Sequence, residues 1–177
     1  KSVAAVQHAE RLMADNSAVR KWLVGRGFSF MGDYATKPEG IWAGESKAGW
    51  LVLVYRNRDG SVRGFKYRNI VEKDFFAQSG AQDDFWGIEN LSNENTTVTI
   101  VEGEIDQKSL EIVAQAKNVL SLPNGGQSAT DKFLEKVAHH LEGKNLFFIA
   151  TDNDRVGDVA ATALMQLLPK YVTTLES

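Results

Sequence analysis

Thr99-Ile100-Val101-Glu102-Gly103-Glu104-Ile105-Asp106 and, about fifty residues on, Phe147-Phe148-Ile149-Ala150-Thr151-Asp152-Asn153-Asp154-Arg155-Val156-Gly157 decide how this chain folds. Each is a short apolar, β-prone run that ends in carboxylates just before a helical pattern begins. Around them strands alternate with helices. Strands are expected at 98–101, 118–122, 146–151 and 171–175, with helices at 105–116, 129–141 and 156–168. That alternation implies a parallel sheet with helices packed on its faces. Ligands of such sheets gather at the carboxyl ends of the strands, where both acidic signatures lie.

The N-terminal half reads differently. Two short helices are expected in residues 1–27, the second capped by Asn16 or Ser17 and stopped by Gly25 and Gly27. Residues 28–48 read as irregular, with one short strand near 40–43. Trp50 to Tyr55 is an apolar strand, Asp59-Gly60 a tight-turn signal, and 61–68 the return strand of a hairpin. A further strand is expected at 74–77, and 90–97 reads as an exposed linker. The fold class is therefore α/β: a C-terminal parallel sheet flanked by helices, preceded by a smaller mixed α+β lobe. The boundary is expected near 92–97, giving lobes 1–96, with a basic hairpin at 49–68, and 97–177.

Composition removes several alternatives. The 177 residues are 43% hydrophobic and 24% charged, ordinary values for a folded chain. No apolar run reaches the length of a membrane helix, and no signal peptide is visible. Absence of cysteine excludes disulfides, thiolate zinc sites and cysteine nucleophiles. A net charge of −3 means that any nucleic-acid surface must be local. There is no G-x-x-x-x-G-K-[S/T] run and no G-x-S-x-G elbow. The three histidines lack metal-ligand spacing, and His139-His140 reads as a partner for a helix C-terminal dipole. With no initiator Met, the chain is expected to be a piece of something longer.

Four acids form the main candidate constellation. Glu102 follows the first strand directly, and Asp106 lies one helical turn on. Asp152 and Asp154 have period-two spacing at the third strand's end, which in extended backbone puts both on one side. With right-handed crossovers the two strands can be neighbours, so the two clusters can face one pocket. Carboxylates there suit a hard divalent cation and a phosphate-bearing substrate. The competing reading is that each acid merely caps a helix, which holds better for one acid alone than for two clusters at equivalent strand ends. Pro123-Asn124-Gly125-Gly126 can present backbone N–H groups to a phosphate. Arg56, Arg58, Arg63, Lys66, Arg68 and Lys73 form the one basic cluster. Lys66 and Arg68 share a face at about 6.6 Å, close to the spacing of successive phosphates. A solvated hairpin face would look the same.

The Glu-Gly of Val101-Glu102-Gly103-Glu104-Ile105-Asp106, followed by Asp152-Asn153-Asp154, resembles the two signatures of the Toprim domain. The segments 58–68, Phe85-Trp86-Gly87, Leu120-Ser121-Leu122-Pro123-Asn124-Gly125 and Gly25-Arg26-Gly27-Phe28 resemble phage-type primase–helicases and the related Twinkle proteins. The resemblance implies the RNA-polymerase domain of a primase: an enzyme making RNA primers on single-stranded DNA from ribonucleoside triphosphates, by metal-dependent nucleotidyl transfer. It implies Glu102, Asp152 and Asp154 as catalytic residues, and the same three with Asp106 as ligands of Mg²⁺ or Mn²⁺. Arg56, Arg58, Arg63, Lys66, Arg68, Lys73, Asn124 and Gly125 would contact nucleotide or DNA. A helicase domain or subunit would be the partner, in the cytoplasm of a bacterial or phage-infected cell. No zinc ribbon or helicase motor lies in these residues, and the Toprim lobe is expected to be cut short at its C-terminal end, so the fragment is expected to be weakly active alone. Two other functions fit the residues: a non-catalytic single-stranded DNA-binding module of a replicative helicase, and a Toprim nuclease using water as nucleophile.

Overall fold

The structure is a computed structural model that describes residues 1–72 and 74–172. The chain divides into two compact units, residues 1–82 and 83–177. No helix among the described residues is long and apolar enough to cross a membrane.

The first unit is an antiparallel sheet with helices. Helices α1 (Ser2–Met13) and α2 (Ala18–Val24) come first, followed by the strands β1 (Ala43–Glu45), β2 (Trp50–Arg56), β3 (Val62–Asn69) and β4 (Phe75–Ala77), in that spatial order. Ser17 caps α2 by accepting the Arg20 N–H at 2.9 Å. Ala5 and Ala9 of α1 pack on Val52, Val54 and Phe65, the inward row of β2 and β3. Small residues on α1 let it lie close to the sheet, and burial of that row fixes the hairpin register, in which Leu53 faces Lys66 and Leu51 faces Arg68. The Asp59-Gly60 turn is present, with a register shift at Tyr55/Arg56. The first strand starts at Ala43, later than 40–43, because residues 38–40 form a 3₁₀ turn opened by Pro38.

The second unit is the expected parallel sheet. Strands β5 (Thr97–Val101), β6 (Val119–Ser121) and β8 (Leu146–Ala150) are ordered β6-β5-β8, so the two acid-bearing strands are neighbours, with Val101 opposite Ala150. Helices α3 (Glu104–Lys108), α4 (Asp131–Val137) and α5 (Arg155–Tyr171) connect and cover the strands. The segment Pro123–Gly126, read from sequence as a loop, is extended and is called β7 here. The core gathers Val98, Ile100, Leu120 and Leu122 from the sheet with Leu134, Leu164 and Leu168 from the helices.

Four expectations need correction. The division falls between Gln82 and Asp83 instead of near 92–97. Phe85, Ile88 and Leu91 are buried in the core of the second unit, and Trp86 exchanges both backbone hydrogen bonds with Ser121, at 3.0 and 3.1 Å. Residues 90–97 are no free linker either: Ser92 N–H reaches Asn118 Oδ1 at 2.7 Å, and the buried Lys144 amine donates to the carbonyls of Ser92 and, at 2.6 Å, Asn95. The helix expected at 105–116 stops early. A π turn at Ser109–Val113 follows α3, where the Ser109 hydroxyl donates back to the Ile105 carbonyl at 2.8 Å and competes with the helical ladder. Of the strand expected at 171–175, Tyr171 ends α5 and residues 173–175 lie outside the described residues.

Candidate functional site

The middle strand β5 delivers Glu102 to the point where three strand ends meet. Its Oε1 accepts the Gly126 N–H of β7 at 3.1 Å, and its Oε2 accepts the Asp152 N–H beyond β8 at 3.2 Å. One carboxylate thus joins the ends of three extended segments. A Cβ on Gly125 would sit 3.5 Å from the same Oε1, so glycine leaves the carboxylate room. Asp106 lies against Gly103: a Cβ on that glycine would sit 2.7 Å from Asp106 Oδ2.

The turn carrying Asp152 and Asp154 is closed around Gly157. Asp154 caps α5, accepting the Gly157 N–H on Oδ1 at 2.9 Å. The Thr151 hydroxyl donates to the Gly157 carbonyl at 2.9 Å. A Cβ on Gly157 would fall 1.9 Å from the Asp152 carbonyl oxygen, an approach only glycine allows. The capping function raised against these acids therefore holds for Asp154, which keeps its second oxygen for other partners. Partial burial, then the charges of Glu102 and Asp154, hold the Asp152 carboxyl above the usual aspartate range. A cation beside Asp152 would offset the repulsion from Glu102 and Asp154.

Among the described residues no three His, Cys, Asp or Glu side chains are gathered tightly enough to grip a metal ion as they stand. The donor set is nevertheless all oxygen and suits a hard divalent cation, with Asp152 joined to Glu102 through its N–H and Asp154 two residues on. The 123–126 loop is partly engaged already: Asn124 N–H donates to Ser128 Oγ at 3.0 Å, and Gly126 N–H to Glu102.

The basic residues of the first unit fall into different environments. Arg56 is 6% exposed, and its guanidinium donates to the carbonyls of Pro38, Ile41 and Gly60. Arg56 thus ties the hairpin to the preceding segment, a role that sequence alone did not suggest. Arg63 Nε donates to Ala81 O at 3.0 Å, and Arg58 is partly exposed near the turn. Lys66 is 8% exposed, with its amine 5.7 Å from the Phe75 ring centre. Arg68 lies 5.5 Å from the Trp22 ring, and its Nε is buried with no hydrogen-bond partner among the described residues. Lys73 lies outside the described residues. Sequence reading missed that Trp22 is shared: Arg26 stacks on it at 3.6 Å. The four-residue separation of Trp22 and Arg26 at the end of α2 was the available signal. His140 pairs with Asp84 at 2.8 Å, while His139 Nδ1 sits 3.0 Å from the Lys136 carbonyl.

With this geometry, residues 99–176 match a family model described as Toprim-like. They resemble a Toprim domain. Their sheet places Glu102 and Asp152 just past the ends of adjacent strands, and solved structures with the same fold extend the likeness beyond it. The RNA polymerase domain of Mycobacterium tuberculosis primase DnaG aligns over 96% of this chain and 70% of its own, at 16% identity and TM-score 0.65. The primase fragment of the bacteriophage T7 primase-helicase protein aligns over 77% of this chain at 21% identity and TM-score 0.55. A DnaG primase catalytic domain bound to single-stranded DNA aligns over 93% at 14% identity and TM-score 0.59. The chain spans 57% of the phage protein's chain and 63% of the DNA-bound one. No curated protein matches the sequence. The resemblance to Toprim-domain primases thus holds for the fold of both units.

Proposed function

We infer that this chain is the RNA-polymerase domain of a primase, joining ribonucleotides into a primer on single-stranded DNA. The observation that carries this reading is the join at the strand ends: Glu102 holds Gly126 and Asp152, with Asp154 beside it, in a chain whose fold matches primases over 96% of its length. Asp152 and Asp154, with Asp106 supporting, would hold Mg²⁺ or Mn²⁺ next to Glu102. The metal supplies charge neutralisation for the triphosphate and favours ionisation of the attacking 3′-hydroxyl. The chain's own part is positioning. The Gly157 turn fixes two carboxylates, and the open backbone at Gly125 admits a phosphate close to β7. Lys66, Arg68 and Arg63 lie on the hairpin as counter-charges for nucleotide or template phosphates, with Asn124 as a further contact and Lys73 and Arg58 nearby in sequence. Trp22 and Arg26 add a surface on which a base can stack.

The likeness to a primase-helicase supports a helicase domain or subunit as partner, and a cytoplasmic role in replication in a bacterial or phage-infected cell. The working test is primer synthesis from ribonucleoside triphosphates on single-stranded DNA with Mg²⁺ or Mn²⁺. Wild type should yield short RNA, and Asp152→Asn should abolish it. Full activity in Asp152→Asn and Asp154→Asn rules out the assigned site. A second reading, single-strand binding without synthesis, draws on the stack of Arg26, Trp22 and Arg68. It predicts DNA binding that ignores Mg²⁺ and yields no product. Cleavage of labelled single strands without nucleotides would instead mark a Toprim nuclease.

A further inference from the structure

We propose that Phe75 is a base-stacking residue for the single-stranded DNA, set beside the cations of β3 that hold its phosphates. The inference rests on the nucleic-acid reading above and deepens it by naming where one base of the strand would sit.

Phe75 and Phe76 are consecutive residues of β4, so their rings leave the sheet on opposite faces. Phe76 stacks on Tyr67 at 4.5 Å and meets Trp50 at 5.6 Å, on the face that α1 covers. Phe75 takes the other face. The register sets it opposite Arg68, and sets Lys66 opposite Ala77 on that same face. The Lys66 amine lies 5.7 Å from the Phe75 ring centre, and the Arg68 guanidinium 5.5 Å from that of Trp22. This face of the sheet thus gathers two aromatic rings, each beside a cation. Phe75 is 54% exposed, so most of its ring surface is outside the core.

An exposed phenylalanine by itself is ordinary surface. The neighbours of Phe75 distinguish it. An apolar protein partner seated on this ring would strip water from the adjacent cations and give them no acceptor in return. A nucleotide supplies both halves: its base has a flat face for the ring, and its phosphate, a few bonds away, carries the charge that Lys66 or Arg68 needs. Arg68 Nε has no hydrogen-bond partner among the described residues, so no hydrogen bond at that atom fixes the guanidinium in place. Stacking on Phe75 would read the flat face that every base shares, so it would hold the strand without preferring a sequence.

The test is binding of the full chain to a fluorescent single-stranded DNA of mixed sequence, and to an abasic strand of the same length, read by anisotropy without nucleotides. Phe75→Ala should weaken binding to the mixed strand about fivefold or more. Its salt dependence should match wild type, because no phosphate contact is lost. On the abasic strand Phe75→Ala and wild type should bind alike. Phe75→Trp should bind the mixed strand at least as tightly as wild type. Phe75→Leu, apolar but without a π-face, should bind like Phe75→Ala. Wild-type affinity in Phe75→Ala, an equal loss on the abasic strand, or full rescue by leucine overturns the proposal. A salt slope shallower by about 0.7 in Phe75→Ala would assign the loss to a displaced phosphate and overturns it too. Phe75→Trp keeps the test decisive even if Phe75→Ala unfolds: its ratio of mixed-strand to abasic affinity must not fall below that of wild type. A chain that binds DNA through Phe75 yet makes no primer keeps this inference and loses the polymerase reading. Primer synthesis by wild type, with DNA binding unchanged in Phe75→Ala, does the reverse.

Discussion

Gly157→Ala is expected to break the second unit at its most crowded point. The added Cβ would lie 1.9 Å from the Asp152 carbonyl oxygen and 2.8 and 2.9 Å from that residue's C and N. An ordinary carbon–oxygen contact is about 3.3 Å, so the overlap is about 1.4 Å and its partner is backbone. Relief requires the 152–157 turn to open, yet Gly157 is tied at its N–H by Asp154 and at its carbonyl by Thr151. Overpacking costs about 1–3 kcal/mol, and losing two hydrogen bonds adds about 1 kcal/mol each. The total is about 3–5 kcal/mol, a large fraction of a typical folding free energy. For a chain of this length that corresponds to a fall in Tm of roughly 6–20 °C. Urea unfolding followed by circular dichroism, with a thermal melt, measures it. Gly103→Ala is the control: its Cβ meets a carboxylate oxygen of Asp106 at 2.7 Å, a flexible side-chain end that can swing aside. That variant should lose less than about 1 kcal/mol. If Gly157→Ala unfolds at the wild-type midpoint, the turn is not closed as described and the placing of both aspartates falls with it.

Three further outcomes follow from single contacts. Asp154→Asn should keep the α5 cap and most stability, whereas Asp154→Ala should lose about 1 kcal/mol, and both should lose metal-dependent activity; urea midpoints beside primer assays separate the two roles. Lys144→Met should cost about 2–4 kcal/mol, because the carbonyls of Ser92 and Asn95 lose a charged donor in a buried place, and exchange of the 92–97 amides should quicken in step. Tyr34 gives a pH signature. Burial raises its phenol, which donates to Ala43 O and accepts from the Trp42 and Ala43 N–H groups. The folded state thus holds this proton more tightly than the unfolded one, so its contribution is complete below about pH 10 and is lost as pH rises above that. Urea midpoints between pH 8 and 11 should fall in wild type, and Tyr34→Phe should start lower and fall less.

Much of the second unit was legible from the order of its residues. Runs such as Thr99-Ile100-Val101 and Phe147-Phe148-Ile149 are short, apolar and rich in β-branched or aromatic residues, and that local fact dictates strands with carboxylates at their ends. The Asp59-Gly60 turn and the Ser17 cap were legible for a similar reason: their chemistry is complete within a few residues. Where a segment's partner is distant in sequence, local pattern misleads. Residues 90–97 look like a linker because they are polar, yet Asn118 and Lys144 satisfy their backbone from more than twenty residues away. Arg56 looks like one more hairpin cation until Pro38 and Ile41 bring their carbonyls to it.

The sequence by itself determined that acids stand at two strand ends, because strand, acid and helix cap are written in consecutive residues. Tertiary structure alone decided that those strands are neighbours and that Glu102 reaches across to Gly126 and Asp152. The physical reason is that a carboxylate's role depends on which donors surround it. Those donors are backbone N–H groups, present at nearly every position in the chain and made specific only by the fold.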